Sequence, residues 1–471
     1  MSNLRFEQGQ EKSYITAWDK LEGQLSQGQQ AVYNFNEGYI KFLNASKTER
    51  EAVIEAIAAA GKKGFVDVAE CDGLKPGDKI YAVNRNKELV LAVIGSNSLT
   101  EGINIVGAHI DSPRLDLKPQ PFYEDGMLGL SKTHYYGGIK KYQWVAMPLA
   151  LHGVVVKEDG RVINLTIGEK PGDPVFTVTD LLPHLAKDQM EKKLAEGIQG
   201  EALNILVGGV PVQSREIKDR FKQSVLDYLN RELGLVEEDF ISAEIEAVPA
   251  WPASDIGFDR GLVAGYGQDD RVCAYTALQA LLEIEKPAHT SLVLLTDKEE
   301  VGSMGNTGMQ SAFFENFVVG MIALGTGSYS DYMVRTVLAN SRGLSADVNA
   351  ALDPNYEGVM DKLNAARLGC GVVLTKYTGS RGKSGSSEAS AEFVAAVRSI
   401  FNGNNVVWQT GELGKVDQGG GGTIAYLLAN YDMDVVDCGV ALLGMHSPFE
   451  VASKVDIYMA YRAYHSFMKN A

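Results

Sequence analysis

Residues 271–285, RVCAYTALQALLEIE, and residues 290–297, TSLVLLTD, decide the fold class. In the first, Val272, Tyr275, Leu278 and Leu282 recur near the 3.6-residue helical period and share one face. The second is almost continuously apolar, the pattern of a strand covered on both sides. A helix leading into such a strand predicts an α/β protein. Toward the C-terminus the runs FVVGMIALG (317–325), GVVLTKY (371–377), NVVWQT (405–410) and DVVDCGVALLGMHS (434–447) read as further strands. SKVDIYMAYRAYHSFM (453–468) reads as a closing amphipathic helix, with Ser453 and Asp456 at capping-box spacing. Toward the N-terminus, the period of Val32, Phe35, Tyr39 and Phe42, then of Val53, Ile54 and Ile57, predicts helices up to about residue 60. KIYAVNRNKELVLAVIG (79–95) reads as two strands joined by an Asn-rich turn, and INIVGAHID (103–111) as a buried strand with a polar exit.

From residue 117 the texture changes. Pro119, Pro121, Gly126, Gly129, Gly137 and Gly138 break the chain into loops and short strands before an evident hairpin, LALHGVVVKEDGRVINLTIG (149–168). Residues 176–235 are charged and helix-like. These features predict a domain inserted at 117–253 into a discontinuous domain formed by 1–116 and 254–471.

The composition narrows the function classes. The chain has 471 residues, 45% of them apolar and 22% charged, which suits a globular protein with a sizeable core. The 44 basic against 60 acidic residues give a net charge of −16, and no basic block occurs, which argues against nucleic acid as a partner. Cys71, Cys273, Cys370 and Cys438 form no CxxC pair, so neither a disulfide framework nor a zinc finger is expected. MSNLRFEQGQEKSY lacks an apolar leader core, and no long uncharged window suggests a membrane span, so the expected location is cytoplasmic.

The residues able to carry chemistry fall at ends of predicted strands. His109 and Asp111 lie two apart at the exit of INIVGAHID, so they point to the same side, and the carboxylate is placed to orient a metal-binding imidazole. His446 follows VALLGM in a similar position. Asp269 and Asp270 precede the 271–285 helix, Glu299 and Glu300 follow TSLVLLT, and Asp347 sits in NSRGLSADVNAALDPNY. Singly, each has an ordinary explanation: a strand-end hydrogen bond for HxD, a solvated surface for an acidic pair. Together they supply the imidazoles, carboxylates and spare base that a pair of divalent cations and a reacting water require. GGGG at 419–422 lacks the Lys and Ser/Thr of a phosphate loop and reads as flexible backbone. Cys273 reads as packing.

The ordered motifs HIDSPRLDLKP, YYGGI, LLPHLA, QDDR, DKEEVGSMGNTGMQS, NSRGLSADVNAALDPNY, GGTIAYLLA and LLGMHSPFE resemble the aspartyl aminopeptidase and vacuolar aminopeptidase I family of dizinc metallopeptidases along essentially the whole chain. The resemblance implies a zinc-peptidase catalytic domain, a mixed sheet sandwiched by helices, interrupted by a smaller β-rich dimerisation domain. It implies two divalent ions per subunit, zinc foremost with manganese or cobalt compatible, held by His109, Asp269, Glu300, Asp347 and His446, with Asp269 bridging. Glu299 then corresponds to the general base that activates a metal-bridging water, and Asp111 to the residue orienting His109. It also implies removal of N-terminal residues from peptides, dimers, and a tetrahedral dodecamer in which His184 of LLPHLA reaches a neighbour's substrate. Lys376 in VVLTKYTGS matches a lysine carried by members that prefer N-terminal Asp or Glu. The following GSRGKSGSSEAS lacks the tyrosine that accompanies it, so acidic and broader preferences both stay open. A related dizinc carboxypeptidase or deacylase, and a catalytically silent assembly protein, are the alternative functions.

Overall fold

The computed structural model describes residues 16–21 and 25–471; the stretch MSNLRFEQGQEKSY lies outside the described residues. The chain forms two compact units. One runs to Asp111 and resumes over Ala253–Met445 and Phe449–Ala471, and the other comprises Ser112–Pro252 with His446–Pro448. The division before Ser112 leaves the strand Arg114–Asp125 whole, whereas a boundary at 116/117 would cut it.

The first unit is built on a nine-stranded mixed sheet. Its strands are β1 (Val66–Asp67), β2 (Lys79–Asn84), β3 (Glu88–Val93), β4 (Ile103–His109), β5 (Thr290–Thr296), β6 (Arg342–Ser345), β7 (Val372–Thr375), β8 (Trp408–Thr410) and β9 (Asp434–Gly439), in the spatial order β1-β2-β3-β5-β4-β6-β9-β7-β8. β5, β4, β6 and β9 run parallel, so their carboxyl ends share one edge. β2 and β3 form the expected hairpin, with Arg85 and Asn86 taking up positive φ in the turn.

Both faces of the sheet are covered, which is why its central strands read as unbroken apolar runs. In β5, Val293 and Leu295 join one core while Leu292 and Leu294 join the other; in β4, Val106 and Ala108 part in the same way from Ile103 and Ile105. The first core receives α1 (Leu25–Ala45), α2 (Glu49–Gly61), α3 (Gln268–Leu282) and α5 (Lys454–Asn470); the second receives α4 (Phe313–Thr326). α3 is buried on nearly every side, beyond the single face that its periodicity suggested.

Two local expectations are corrected. FVVGMIALG is helical within α4: Phe314, Phe317, Val318, Met321 and Ile322 fall at helical spacing and are buried. A short apolar run has no polar face to distinguish helix from strand, so its period is silent. Ser453 makes no side-chain cap to α5; the Asp456 carboxylate instead accepts the amides of Gly369 at 2.7 Å and Gly371 at 2.6 Å. A smaller five-stranded sheet completes this unit, in the order Ser254–Ile256, Leu262–Gly265, Glu450–Ser453, Ala441–Leu443, Asn349–Ala350. Among the described residues, no helix is long and apolar enough to cross a membrane.

The second unit is a six-stranded antiparallel sheet, in the order 162–167, 149–156, 243–249, 114–125, 128–136, 205–208, packed by the helix Arg220–Leu233. The predicted hairpin occupies Leu149–Val156 and Val162–Ile167. Of the helix-like stretch 176–235, only Arg220–Leu233 is a long helix; Pro183, Gly197, Gly200 and Pro211 confine the rest to short turns and the strand Ile205–Gly208.

Burial pushes Asp456 up to about 7. Its folded value therefore lies above its unfolded one, and its stabilising contribution is fully present below the ordinary carboxyl range and declines as pH rises through 7. Asp456→Asn should make the thermal midpoint fall less steeply than wild type between pH 5 and 8; parallel curves in thermal melts would remove Asp456 as a source of that slope.

Candidate metal centre

The carboxyl ends of the parallel strands bring the acidic residues together. β4 ends in His109; β5 leads through Asp297 and Lys298 into a 3-10 turn, Glu299–Val301; β6 ends two residues before Asp347. Thr296 pairs with His109 across the β4–β5 ladder, which sets the two exits side by side. The return loop after the turn is fastened to β5, since Thr307 Oγ1 donates to Asp297 Oδ2 at 2.6 Å and the Asp297 amide donates to Thr307 O at 3.2 Å.

His109 lies at the centre. Its Nε2 is 3.1 Å from Asp269 Oδ1, 3.9 Å from Asp347 Oδ1 and 4.0 Å from Glu299 Oε2. On its other side, Nδ1 is 3.0 Å from the carbonyl of Asp111 and 3.3 Å from its carboxylate. That arrangement turns Nε2 toward the acids, the orientation a metal-binding imidazole needs. The Asp111 carboxylate has a second task that the HxD spacing did not reveal. Its two oxygens accept the amides of Glu299 at 3.1 Å and Glu300 at 3.2 Å, so one side chain joins the exits of β4 and β5.

Asp269 and Asp270 have non-helical backbone angles at the head of α3. The Asp269 amide, left outside the helical pattern, donates to Glu450 Oε2 at 3.1 Å. Gln268 Nε2 donates to the Glu450 carbonyl at 2.6 Å, and Tyr39 Oη to Gln268 Oε1 at 3.1 Å. Asp270 Oδ2 accepts the His109 amide at 3.4 Å.

Ligand atoms of His109, Asp269 and Glu300 lie within 4.8 Å of one another, as do those of His109, Asp270 and Asp347. Burial, aided by the Asp347 carboxylate, pushes Asp270 well above the usual carboxyl range; burial, aided by Glu299 and Asp269, does the same to Asp347. Burial opposes charge on His109, but hydrogen bonds and fields from the surrounding carboxylates outweigh it and hold the imidazole well above its ordinary value. Such a cluster is costly without cations, because carboxylates repel in a low dielectric. Asp270 Oδ1 is also buried with no hydrogen-bond partner. Imidazole and carboxylate donors of this kind fit divalent zinc, manganese or cobalt.

Of the residues singled out from sequence, His109, Asp111, Asp269, Glu299, Glu300 and Asp347 are assembled here. Two further residues join them: Asp270, to which the motif assigns no ligand role, and Glu450. The first was masked by its acidic neighbour, and the second carried a signal only in its place at the end of MHSPFE. His446 belongs to the second unit, where its Nδ1 is 2.9 Å from the Gly138 carbonyl. His184 is exposed in the turn Pro183–Leu185 of the same unit. Lys376, just past β7, is half-exposed, with Nζ 3.9 Å from Glu388 Oε1. The glycine run abuts the loop after Lys376: the Gly379 amide donates to Gly421 O at 2.6 Å, and a Cβ on Gly420, at φ +118°, would lie 1.9 Å from Gly379 O. The run is thus a close backbone approach, which any side chain would obstruct.

A buried histidine and carboxylates at the carboxyl edge of a helix-covered sheet place the chain in the metallopeptidase class. Residues 42–468 match the family of aminopeptidase I zinc metalloproteases (M18), and the chain belongs to that family. It is 53% identical over 464 residues to a probable M18 family aminopeptidase 1 of Clostridium acetobutylicum, covering 98% of this chain and 99% of that one. A crystal structure of an M18-family aminopeptidase from Thermotoga maritima superposes with a TM-score of 0.93 at 46% identity, covering 97% and 99% of the two chains. The S. cerevisiae mApe1 dodecamer shares the fold, with a TM-score of 0.73 at 21% identity over 94% and 97%.

Asp111→Ala would release both glutamate amides and remove the carboxylate 3.3 Å from His109 Nδ1, leaving only the backbone carbonyl beside that nitrogen. Its metal affinity, measured by competition with a chromophoric chelator, should fall on the order of 10–100-fold; affinity equal to wild type would refute the linking role of Asp111.

Proposed function

We propose that the chain removes N-terminal residues from peptides by general-base hydrolysis at a two-metal centre. The observation that carries this reading is the pair of adjacent acids at the exit of β5: Glu300 groups with His109 and Asp269, and Glu299 Oε2 is 4.0 Å from His109 Nε2. His109, Asp269, Glu300, Asp347 and His446 would hold the ions; His446 joins the set through its motif alone. When bound, the ions would supply Lewis acidity and lower the pKa of the reacting water. Glu299 takes the proton from that water as it attacks the peptide carbonyl, then returns it to the leaving nitrogen as the C–N bond breaks. Asp111 keeps Glu299 in place through its backbone amide. The acidic surroundings also suit the free α-ammonium group of a peptide, which favours an aminopeptidase over the related carboxypeptidase and deacylase activities. An intact Glu299 favours an enzyme over a silent assembly protein.

A broad or neutral preference for the N-terminal residue is the better-supported alternative. Lys376 is the local cation suited to an acidic side chain, but Glu388 shares its charge and the chain as a whole carries −16. Self-association into dimers and a dodecamer is supported by the exposed Leu181, Leu182, Leu185, Met190 and Leu194 around His184, an apolar series suited to being covered. A histidine on that segment is suitably carried to reach a neighbouring subunit's substrate. The four cysteines, none of them in a disulfide, accord with a cytoplasmic location.

Glu299→Gln should keep the metal content of wild type and lower kcat on the order of 10²–10⁴-fold. Retained turnover with free-amine peptides would take the base role from Glu299. Wild type should cleave free-amine dipeptides and spare their N-acetyl forms; the reverse preference would favour the deacylase. Leu182→Glu with Leu185→Glu should lower the particle mass in light scattering, and an unchanged mass would place the subunit contact elsewhere.

A further inference from the structure

The guanidinium of Arg271 is among the largest fully buried side chains of the chain, at 0% exposure. A buried charge of this kind is costly unless compensated by nearby groups, and few folds retain one without a task for it. Arg271 Nη1 donates to the Ile110 carbonyl at 3.2 Å, between His109 and Asp111. The neighbouring Asp270 carboxylate accepts the His109 amide. Two consecutive residues at the head of α3 thus hold the His109 amide and the Ile110 carbonyl at the end of β4. This double contact spans the pair of exits whose side chains meet at 3.1 Å as His109 Nε2 and Asp269 Oδ1. The guanidinium also stands 5.1 Å over the Tyr266 ring.

Room for it is made at one position. Gly267 has φ +71°, and a Cβ built there would fall 1.5 Å from Arg271 Nη2 and 2.4 Å from Cζ. Any side chain at 267 must displace the guanidinium. The glycine therefore serves the arginine as well as the left-handed backbone.

We propose that Arg271 is a positioning residue of the metal centre, fixing the β4 exit against the Asp269–Asp270 turn, and that Gly267 exists to admit it. The inference rests on the functional reading above. Lysine cannot reproduce the contact, because a single ammonium lacks the planar fork that fills this space.

The test uses apo full-length wild type, Arg271→Lys, Gly267→Ala and the double variant, all checked for folding by circular dichroism and thermal melts. Zinc affinity is measured by chelator competition, and the cobalt(II)-loaded proteins are compared by their visible d–d spectra. Each single variant should bind zinc about 10–100-fold more weakly and alter the cobalt spectrum, a signature that mere loss of global stability would not move. The double variant should be no weaker than the worse single one, because both changes remove the same contact. Gly267→Ala keeps the arginine but displaces it, at the further cost of a left-handed backbone, so with its folding checked it carries the test if the lysine variant fails to fold. Wild-type affinity and spectrum in the single variants, or effects that add, would overturn the inference while leaving the functional reading intact. A wild-type chain that binds no zinc or cobalt would overturn both.

Discussion

The parallel pairing of β4 with β5, in the register that sets Thr296 beside His109, is the constraint on which the site depends. It places two strand exits next to each other, and the Asp111 carboxylate converts that proximity into a fixed geometry by accepting both glutamate amides. Without the register, the HxD motif and the acidic pair would be unrelated surface features. With it, they form one side of a pocket of negative charge whose other side is supplied by Asp269, Asp270 and Asp347.

That pocket is electrostatically unfavourable by itself, and the fold supports it from outside. Glu450, on the smaller sheet, holds the Asp269 amide; Gln268 and Tyr39 extend that support into the helical layer. Arg271 adds a buried cation on the same side. The acidic side chains are thus held close together, an arrangement whose cost a bound cation would offset. The apolar division of β4 and β5 between two cores makes this strain tolerable, since each strand is anchored on both faces.

Much of the fold was legible in sequence wherever local chemistry is unambiguous. The Asn-rich turn announced the β2–β3 hairpin, and the unbroken run of β5 announced a strand covered twice. FVVGMIALG misled because a wholly apolar segment has no period, and Ser453 misled because spacing alone says nothing of where Asp456 finds better donors. In the site, the motifs pointed to the residue types and their order. The second bond set of Asp111 and the roles of Asp270 and Glu450 were hidden, since they arise from contacts between segments about 160 to 190 residues apart.

The central claim is that these side chains form a metal site. Anomalous diffraction at the zinc edge from zinc-loaded crystals tests it most directly. Two peaks are predicted among His109, Asp269, Glu300 and Asp347. A fully loaded crystal with no peak at His109, or with zinc bound only elsewhere, would contradict the account.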